Sequence, residues 1–146
     1  MNSNHAIMLA VIFLWLGFVG AISFMEAWLK FRAPGITLPM GLGIGRLVFH
    51  ALNIMEWLFL VVILINLYFN QGLSFRTMDV WLAIPALILI LQTVWVLPVL
   101  DSRAELHIQG MEVPPSKIHF IYVLFEIIKV GCLFTFGIQL FKKSTI

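Results

Sequence analysis

Four long apolar segments alternate with shorter polar ones along this chain. The apolar segments are 21 to 24 residues long and cover residues 6–28, 47–69, 80–100 and 118–141. At a rise of about 1.5 Å per residue, a helix of that length crosses a hydrocarbon core of roughly 30 Å. Because backbone groups in lipid must pair within the chain, the pattern predicts helices and not open strands.

The predicted helices extend a few residues beyond the apolar segments. We expect them over residues 6–32, 46–69, 79–100 and 116–141 of a single domain that spans residues 1–146. The predicted fold class is an all-α integral membrane protein. Because short connections favour antiparallel neighbours, its architecture would be an up-down-up-down bundle of four transmembrane helices.

Three connections separate the predicted helices. The first, residues 31–45, contains two prolines and four glycines and is otherwise mostly apolar, which is typical of a loop that lies against the end of a helix bundle. The second, residues 70–79, is short and polar. The third, residues 101–117, holds most of the charge and ends in Pro-Pro-Ser, so that Ser116 is expected to cap the fourth helix.

The composition also indicates a membrane protein. Hydrophobic residues make up 62% of the chain and charged residues 11%, whereas about 25% of residues in soluble proteins are charged. Nucleic acid is not an expected partner, because no basic run precedes the Lys142-Lys143 pair. The expected partners are the lipid bilayer, a small hydrophobic or amphiphilic ligand and, in a homo-oligomer, other copies of the chain. The expected location is the cell membrane, the inner membrane if the source is bacterial. The orientation stays open, because the count of basic residues and the terminal pair favour opposite directions.

Polar residues within the predicted helices recur at spacings of three and four, so those of one helix share a face. In an antiparallel bundle the charged ends of the four helices would meet on one side of the membrane. The residues concerned are Ser23, Glu26, Lys30, Arg46, His50, Asn53, Glu56, Gln92, Trp95, His119, Tyr122, Glu126 and Lys129.

Three of these residues, Glu56, Glu126 and Lys129, lie deepest in their helices. A charged side chain at that depth costs about 2.5–3.5 kcal/mol on insertion scales, so we expect all three to face the interior and to pair. Glu126 and Lys129 are three residues apart and can pair on one helix. Glu56 then requires Lys129, Tyr122 or a proton. Such a set either forms a functional polar cavity or only holds the helices together.

His50 and His119 each lie about one turn inside a helix at the charged side. They could relay protons, or form hydrogen bonds between helices. No cofactor or metal site is predicted, and the alternative is a haem or metal held by these two histidines. No Glu-x-x-His pair accompanies them.

The candidate site therefore has two parts. The residues expected to carry acid–base chemistry are Glu56, Glu126, Lys129, His50, His119 and Tyr122. Those expected to bind substrate are Glu26, Lys30, Arg46, Asn53, Gln92, Trp95, Asp101 and Arg103. Trp95 is expected to pack in the core or against a ligand, and an arginine at the rim could bind an anionic head group.

Three functions fit this pattern. The first is a buried acid–base site, open to one membrane face, that binds or transforms a small hydrophobic or amphiphilic molecule. The second is a small transporter or exporter, with or without coupling to protons, which would need a polar route on the far side as well. The third is a structural or accessory subunit in which the polar residues join helices.

The run from Gly20 to Gly35, with Glu26, Lys30 and Pro34, ends a charged first helix, and Gly45-Arg46-Leu47-Val48-Phe49 opens the second. In this layout the chain resembles a group of small uncharacterised four-helix membrane proteins that includes a human endomembrane protein linked to platinum-drug resistance. The resemblance implies a four-helix membrane fold and a role in transport or trafficking. It implies no catalytic residues.

Overall fold

The computed structural model describes residues 3–71 and 80–145, and within these ranges it is helical with no strand. Four helical segments follow one another: α1 (residues 3–32), α2 (Leu38–Gln71), α3 (Val80–Ile108) and α4 (Ile118–Thr145). Each contains a span that is long and apolar enough to cross a membrane. This confirms the predicted all-α class with four such helices. Most of the predicted polar connection at residues 70–79 lies outside the described residues.

The first predicted connection is much longer than the observed one. α2 begins at Leu38, eight residues before the predicted start, so the prediction of a glycine-rich loop over residues 31–45 is wrong. The true connection follows Arg32, where the residue before Pro34 turns to an extended backbone at φ −68° and ψ 134°. Gly35 lies in this connection with a φ of +81°, whereas Gly41 and Gly45 serve close packing between helices and do not break α2.

The third predicted connection is also shorter than expected. α3 continues to Ile108, so Asp101, Arg103 and Glu105 lie on a helix and not in a loop as predicted. Their polar side chains are compatible with a helix that emerges beyond the apolar span. The predicted cap is confirmed, because Ser116 Oγ accepts a hydrogen bond of 3.2 Å from the Ile118 N–H.

Two segments have π-helical turns, Gly20–Glu26 in α1 and Gln92–Val96 in α3. In each, the N–H that closes the turn bonds to the carbonyl five residues earlier, as from Leu97 to Gln92. The second segment ends two residues before Pro98, which lacks an N–H and whose ring would collide with the carbonyl of residue 94 in a regular helix. Turns of this kind often occur at functional sites, and both carry polar side chains of the site described below.

Buried apolar side chains from all four helices form the larger of two hydrophobic clusters, and Val96, Leu97, Ile118 and Tyr122 form the smaller one. The members of the larger cluster include Ile12, Trp15, Leu52, Ile63, Leu89 and Leu133. The outer surface is apolar as well: the exposed fractions are 75% for Leu47, 67% for Val94 and 67% for Phe120. A helix that is apolar on its outer face needs a nonaqueous environment or a partner.

Two glycines let the end of α1 lie against the start of α2. A Cβ atom at Gly41 would overlap the ring of Phe31, and one at Gly45 would stand 2.9 Å from Lys30 Nζ. Gly41 and Gly45 are four residues apart, so they share one face of α2, and small residues at this spacing allow close helix contact. The two glycines therefore let Phe31 and Lys30 lie directly against the start of α2.

We expect Gly41→Ala to lower the free energy of unfolding in detergent by about 1–3 kcal/mol, because the added methyl displaces the Phe31 ring. Gly131→Ala is the matched control, since a Cβ there meets nothing within 4 Å, and it should raise stability by up to about 1 kcal/mol. Thermal unfolding of both variants tests the contact. Equal effects of the two substitutions would contradict it.

Candidate functional site

Lys129 lies at the centre of a polar cluster in the interior and is wholly buried. Its Nζ lies 2.5 Å from Glu56 Oε1 on α2, 2.7 Å from Gln92 Oε1 on α3 and 2.9 Å from Glu126 Oε1 on α4. Trp15 of α1 donates its indole N–H to Glu56 Oε1 at 2.8 Å. We call these five residues the buried cluster. The predicted burial and pairing of Glu56, Glu126 and Lys129 are confirmed.

Nearly every polar atom described in the buried cluster has a partner. The three N–H donors of Lys129 match its three acceptors. Gln92 links two members, since its Oε1 accepts from Lys129 while its Nε2 donates to Glu126 Oε1 at 2.5 Å. Glu126 Oε2 is buried with no hydrogen-bond partner within the described ranges. Two carboxylates and one ammonium carry a formal charge of −1, which one proton on a carboxyl group would neutralise.

A second polar group lies between the buried cluster and the charged end of the bundle, where α2 carries Arg46 and α3 carries Asp101. The Thr93 hydroxyl donates to the Leu89 carbonyl at 2.8 Å, and it accepts N–H donors from Asn53 and Trp57, both at 3.0 Å. The group joins α2 to the π-helical segment of α3. Thr93 gave no signal in the sequence, because threonine hydroxyls in membrane helices commonly bond only to their own backbone.

Tyr122 links α4 to the π-helical segment of α1. Its hydroxyl lies 3.3 Å from Ser23 Oγ, and its ring packs against Phe49 with centroids 5.0 Å apart. Tyr122 is buried, three residues after His119 and four before Glu126, so it lies on the same face between them. This side chain separates the charged end from the buried cluster.

The charged end is a network between α2 and α3. Arg46 pairs with Glu105 and lies 3.7 Å, Nε to Oδ1, from Asp101. His50 bonds to the other carboxylate oxygen of Asp101. Arg103 faces away from this network and donates to the Pro114 carbonyl, so it braces the connection to α4.

A pocket of about 100 Å³ lies at the charged end and is lined by side chains of all four helices. Its ionisable lining residues are Lys30, Arg46, Asp101 and His119, and the remainder of the lining is apolar or glycine. Lys30 is held by Glu26 at 3.1 Å, and the side chain is only 8% exposed. Charged residues from separate helices therefore lie around one pocket, as the sequence predicted.

Trp95 departs from its expected position. It is 46% exposed on the outer surface, so the expectation of core packing is wrong. The π-helical turn in which it lies changes the register of α3, so residue spacing alone does not give its direction. The described residues contain no group of three metal-ligating side chains, and His50 and His119 occur in separate surroundings, the first bound to Asp101 and the second lining the pocket.

Trp15 is the member of the buried cluster that sequence reasoning missed. A signal was present, because an indole N–H in the middle of an apolar helix requires an acceptor. A carboxylate is the strongest acceptor that the other helices offer at that depth. Lys30 was expected to bind substrate from the spacing of polar residues, but its place against Gly45 depends on helix packing that the spacing does not reveal.

Comparison with known protein families, with curated proteins and with solved structures found no match to this chain. The resemblance to small four-helix membrane proteins therefore stays a prediction. The function has to be inferred from the chain's own side chains and their arrangement.

Substitutions in the buried cluster should have unequal effects. Lys129→Met leaves two buried carboxylates without their cation, so we expect a loss of about 3–5 kcal/mol in the free energy of unfolding. Glu126→Gln keeps the acceptor of Lys129 and places its amide where Oε2 has no partner, so the change should stay within about 1 kcal/mol. Thermal and denaturant unfolding in one detergent compare them. A loss from Glu126→Gln as large as from Lys129→Met would refute this assignment.

Proposed function

We propose that the chain crosses a membrane four times as an antiparallel bundle. The apolar outer surface supports insertion. Contacts between α2 and α3 support the antiparallel arrangement, because residues that come later in α2 bond to residues that come earlier in α3. The pairs that follow this order are Arg46–Glu105, His50–Asp101 and Asn53–Thr93.

We further propose that the protein binds a small amphiphilic molecule in the pocket at the charged end, above the buried cluster. The observation that carries this proposal is the pocket itself, whose walls combine apolar side chains with Lys30, Arg46 and His119. Sites for small molecules typically join an apolar lining to a few placed polar groups. Phe31 and Phe49 would contact the apolar part of the ligand, and the charged residues its head group.

The buried cluster would supply acid–base capacity beneath the ligand. His119, Tyr122 and Glu126 lie on one face of α4, so they offer successive proton-bearing groups from the pocket inward. Glu126 has the unpartnered oxygen at the inner end of that series. A proton would reach the ligand through His119, the member of this series that lines the pocket, with Glu126 as the group at the inner end.

A closed site is better supported than a conduit. Beyond the buried cluster the core residues are apolar, and they include Met8, Ile63, Leu67, Phe136 and Leu140. Thr135, one of the few polar residues at that depth, donates to its own helix at the Gly131 carbonyl, 2.8 Å away. A transporter would need a polar route where these side chains pack.

A specific observation also favours a second candidate, an accessory subunit whose polar groups only join helices. All three donors of Lys129 are used within the protein, as expected for structural hydrogen bonds between membrane helices. The two candidates differ in the pocket, which a purely structural role does not require.

Labelling tests the membrane arrangement. In a Cys132→Ser background, we expect Glu112→Cys and Lys142→Cys to react with a membrane-impermeant maleimide from opposite faces of sealed vesicles. The reason is that Glu112 precedes α4 and Lys142 lies near the end of α4, so one crossing by α4 separates them. Labelling of both cysteines from the same face would contradict the topology.

Filling the pocket tests ligand binding. Ala104 is buried and lines the pocket, so Ala104→Leu should abolish the thermal stabilisation that a matching amphiphile gives the purified protein. Suitable probes are oleate, oleyl alcohol and farnesol. Ala51→Leu adds the same atoms to an exposed position and should leave the stabilisation intact.

An accessory-subunit role predicts no stabilisation of the unsubstituted protein by any of the three probes. Equal stabilisation of Ala104→Leu and Ala51→Leu would place binding outside the pocket.

A further inference from the structure

The charges that face the pocket do not balance. Lys30 and Arg46 line it, whereas the carboxylates that pair with them from the side, Glu26 and Glu105, do not. Asp101 is the one carboxylate in the lining, and its two oxygens already face Arg46 and His50. A ligand in the pocket therefore meets a surplus of positive charge.

Lys30 retains hydrogen-bonding capacity toward the pocket. Its ammonium has three N–H donors, and within the described chain one of them is used, by Glu26 at 3.1 Å. Its other neighbours are the rings of Phe31 and Phe49, with Nζ 5.5 Å and 5.1 Å from their centroids. Aromatic rings stabilise a cation but accept hydrogen bonds poorly, so an oxyanion that enters the pocket would gain strong donors.

The backbone of α2 makes room for this ammonium. Gly45 is buried, and a side chain there would begin 2.9 Å from Lys30 Nζ. The ammonium is thus held at the pocket wall by Glu26, two rings and a glycine. This arrangement keeps an 8% exposed cation facing a cavity, where water screens it little.

We propose that the pocket binds the anionic oxygen head group of an amphiphile, a carboxylate or a phosphate monoester, with Lys30 as its direct partner and Arg46 as its second cation. This inference rests on the proposed function, since it names the class of ligand for the same pocket. The head group occupies the charged wall, and the chain of the ligand follows Phe31, Leu42 and Leu97 toward lipid.

The experiment measures binding to the purified full chain in an uncharged detergent at matched mole fractions of probe. The probes are oleate, oleyl alcohol, acetate and inorganic phosphate, and the readout is the concentration dependence of the thermal unfolding midpoint. Lys30→Met removes the charge at nearly constant length. Lys117→Met is the matched control, because Lys117 is exposed and does not line the pocket.

The expected result is that oleate binds at least about tenfold more tightly than oleyl alcohol, and that acetate and phosphate give no stabilisation. Lys30→Met should lower the affinity for oleate about tenfold or more and that for oleyl alcohol by a much smaller factor, because a neutral hydroxyl gains less from an ammonium than a carboxylate does. Lys117→Met should bind both as the unsubstituted chain does.

Three results would overturn the inference in different ways. Equal binding of oleate and oleyl alcohol, or an unchanged oleate affinity in Lys30→Met, would show that the pocket does not select an anionic head group. The proposed function would still stand. Binding of acetate or phosphate as tight as that of oleate would show that the ligand is a free oxyanion and not an amphiphile. Absence of binding by all four probes removes the inference and the proposed function together.

Discussion

A lysine ammonium with no access to water needs acceptors on several sides, and this requirement governs the interior of the protein. Lys129 finds its acceptors on three helices, and Trp15 brings in the fourth through Glu56. An ion pair in such surroundings adds little net stability, yet each member left without its partner would be very costly. The buried cluster therefore fixes the rotation and depth of the helices relative to one another more than it contributes to the free energy of folding.

The polar residues above the cluster follow from that fixed register. With Glu56 and Gln92 at one level, Asn53 meets Thr93 one turn outward, and Arg46 meets Glu105 at the charged end. The π-helical turn Gln92–Val96 adjusts α3 so that Gln92 and Thr93 point to neighbouring partners. The pocket lies at the outer end of the same register, where Lys30, Arg46, Asp101 and His119 of the four helices line it together with apolar side chains.

The sequence predicted the parts of this arrangement that depend on the cost of burying charge. Four long apolar segments specify four helices, and the depth of Glu56, Glu126 and Lys129 requires them to pair. Contacts between helices were beyond such reasoning: glycines at residues 41 and 45 read as helix breakers but serve close packing with Phe31 and Lys30. Likewise, the exposed position of Trp95 depends on a π-helical turn that residue spacing does not reveal.

The most direct test of the central claim is a distance measurement in lipid bilayers. Solid-state NMR on protein with ¹⁵N-labelled lysine and ¹³C-labelled glutamate side chains measures dipolar coupling between Lys129 Nζ and carboxyl carbons. The account predicts direct contact with two carboxyl groups, one lost in Glu56→Gln and the other in Glu126→Gln, as expected from nitrogen–oxygen distances of 2.5 and 2.9 Å. Contact with only Glu126, its neighbour on the same helix, would contradict a cluster that joins the helices.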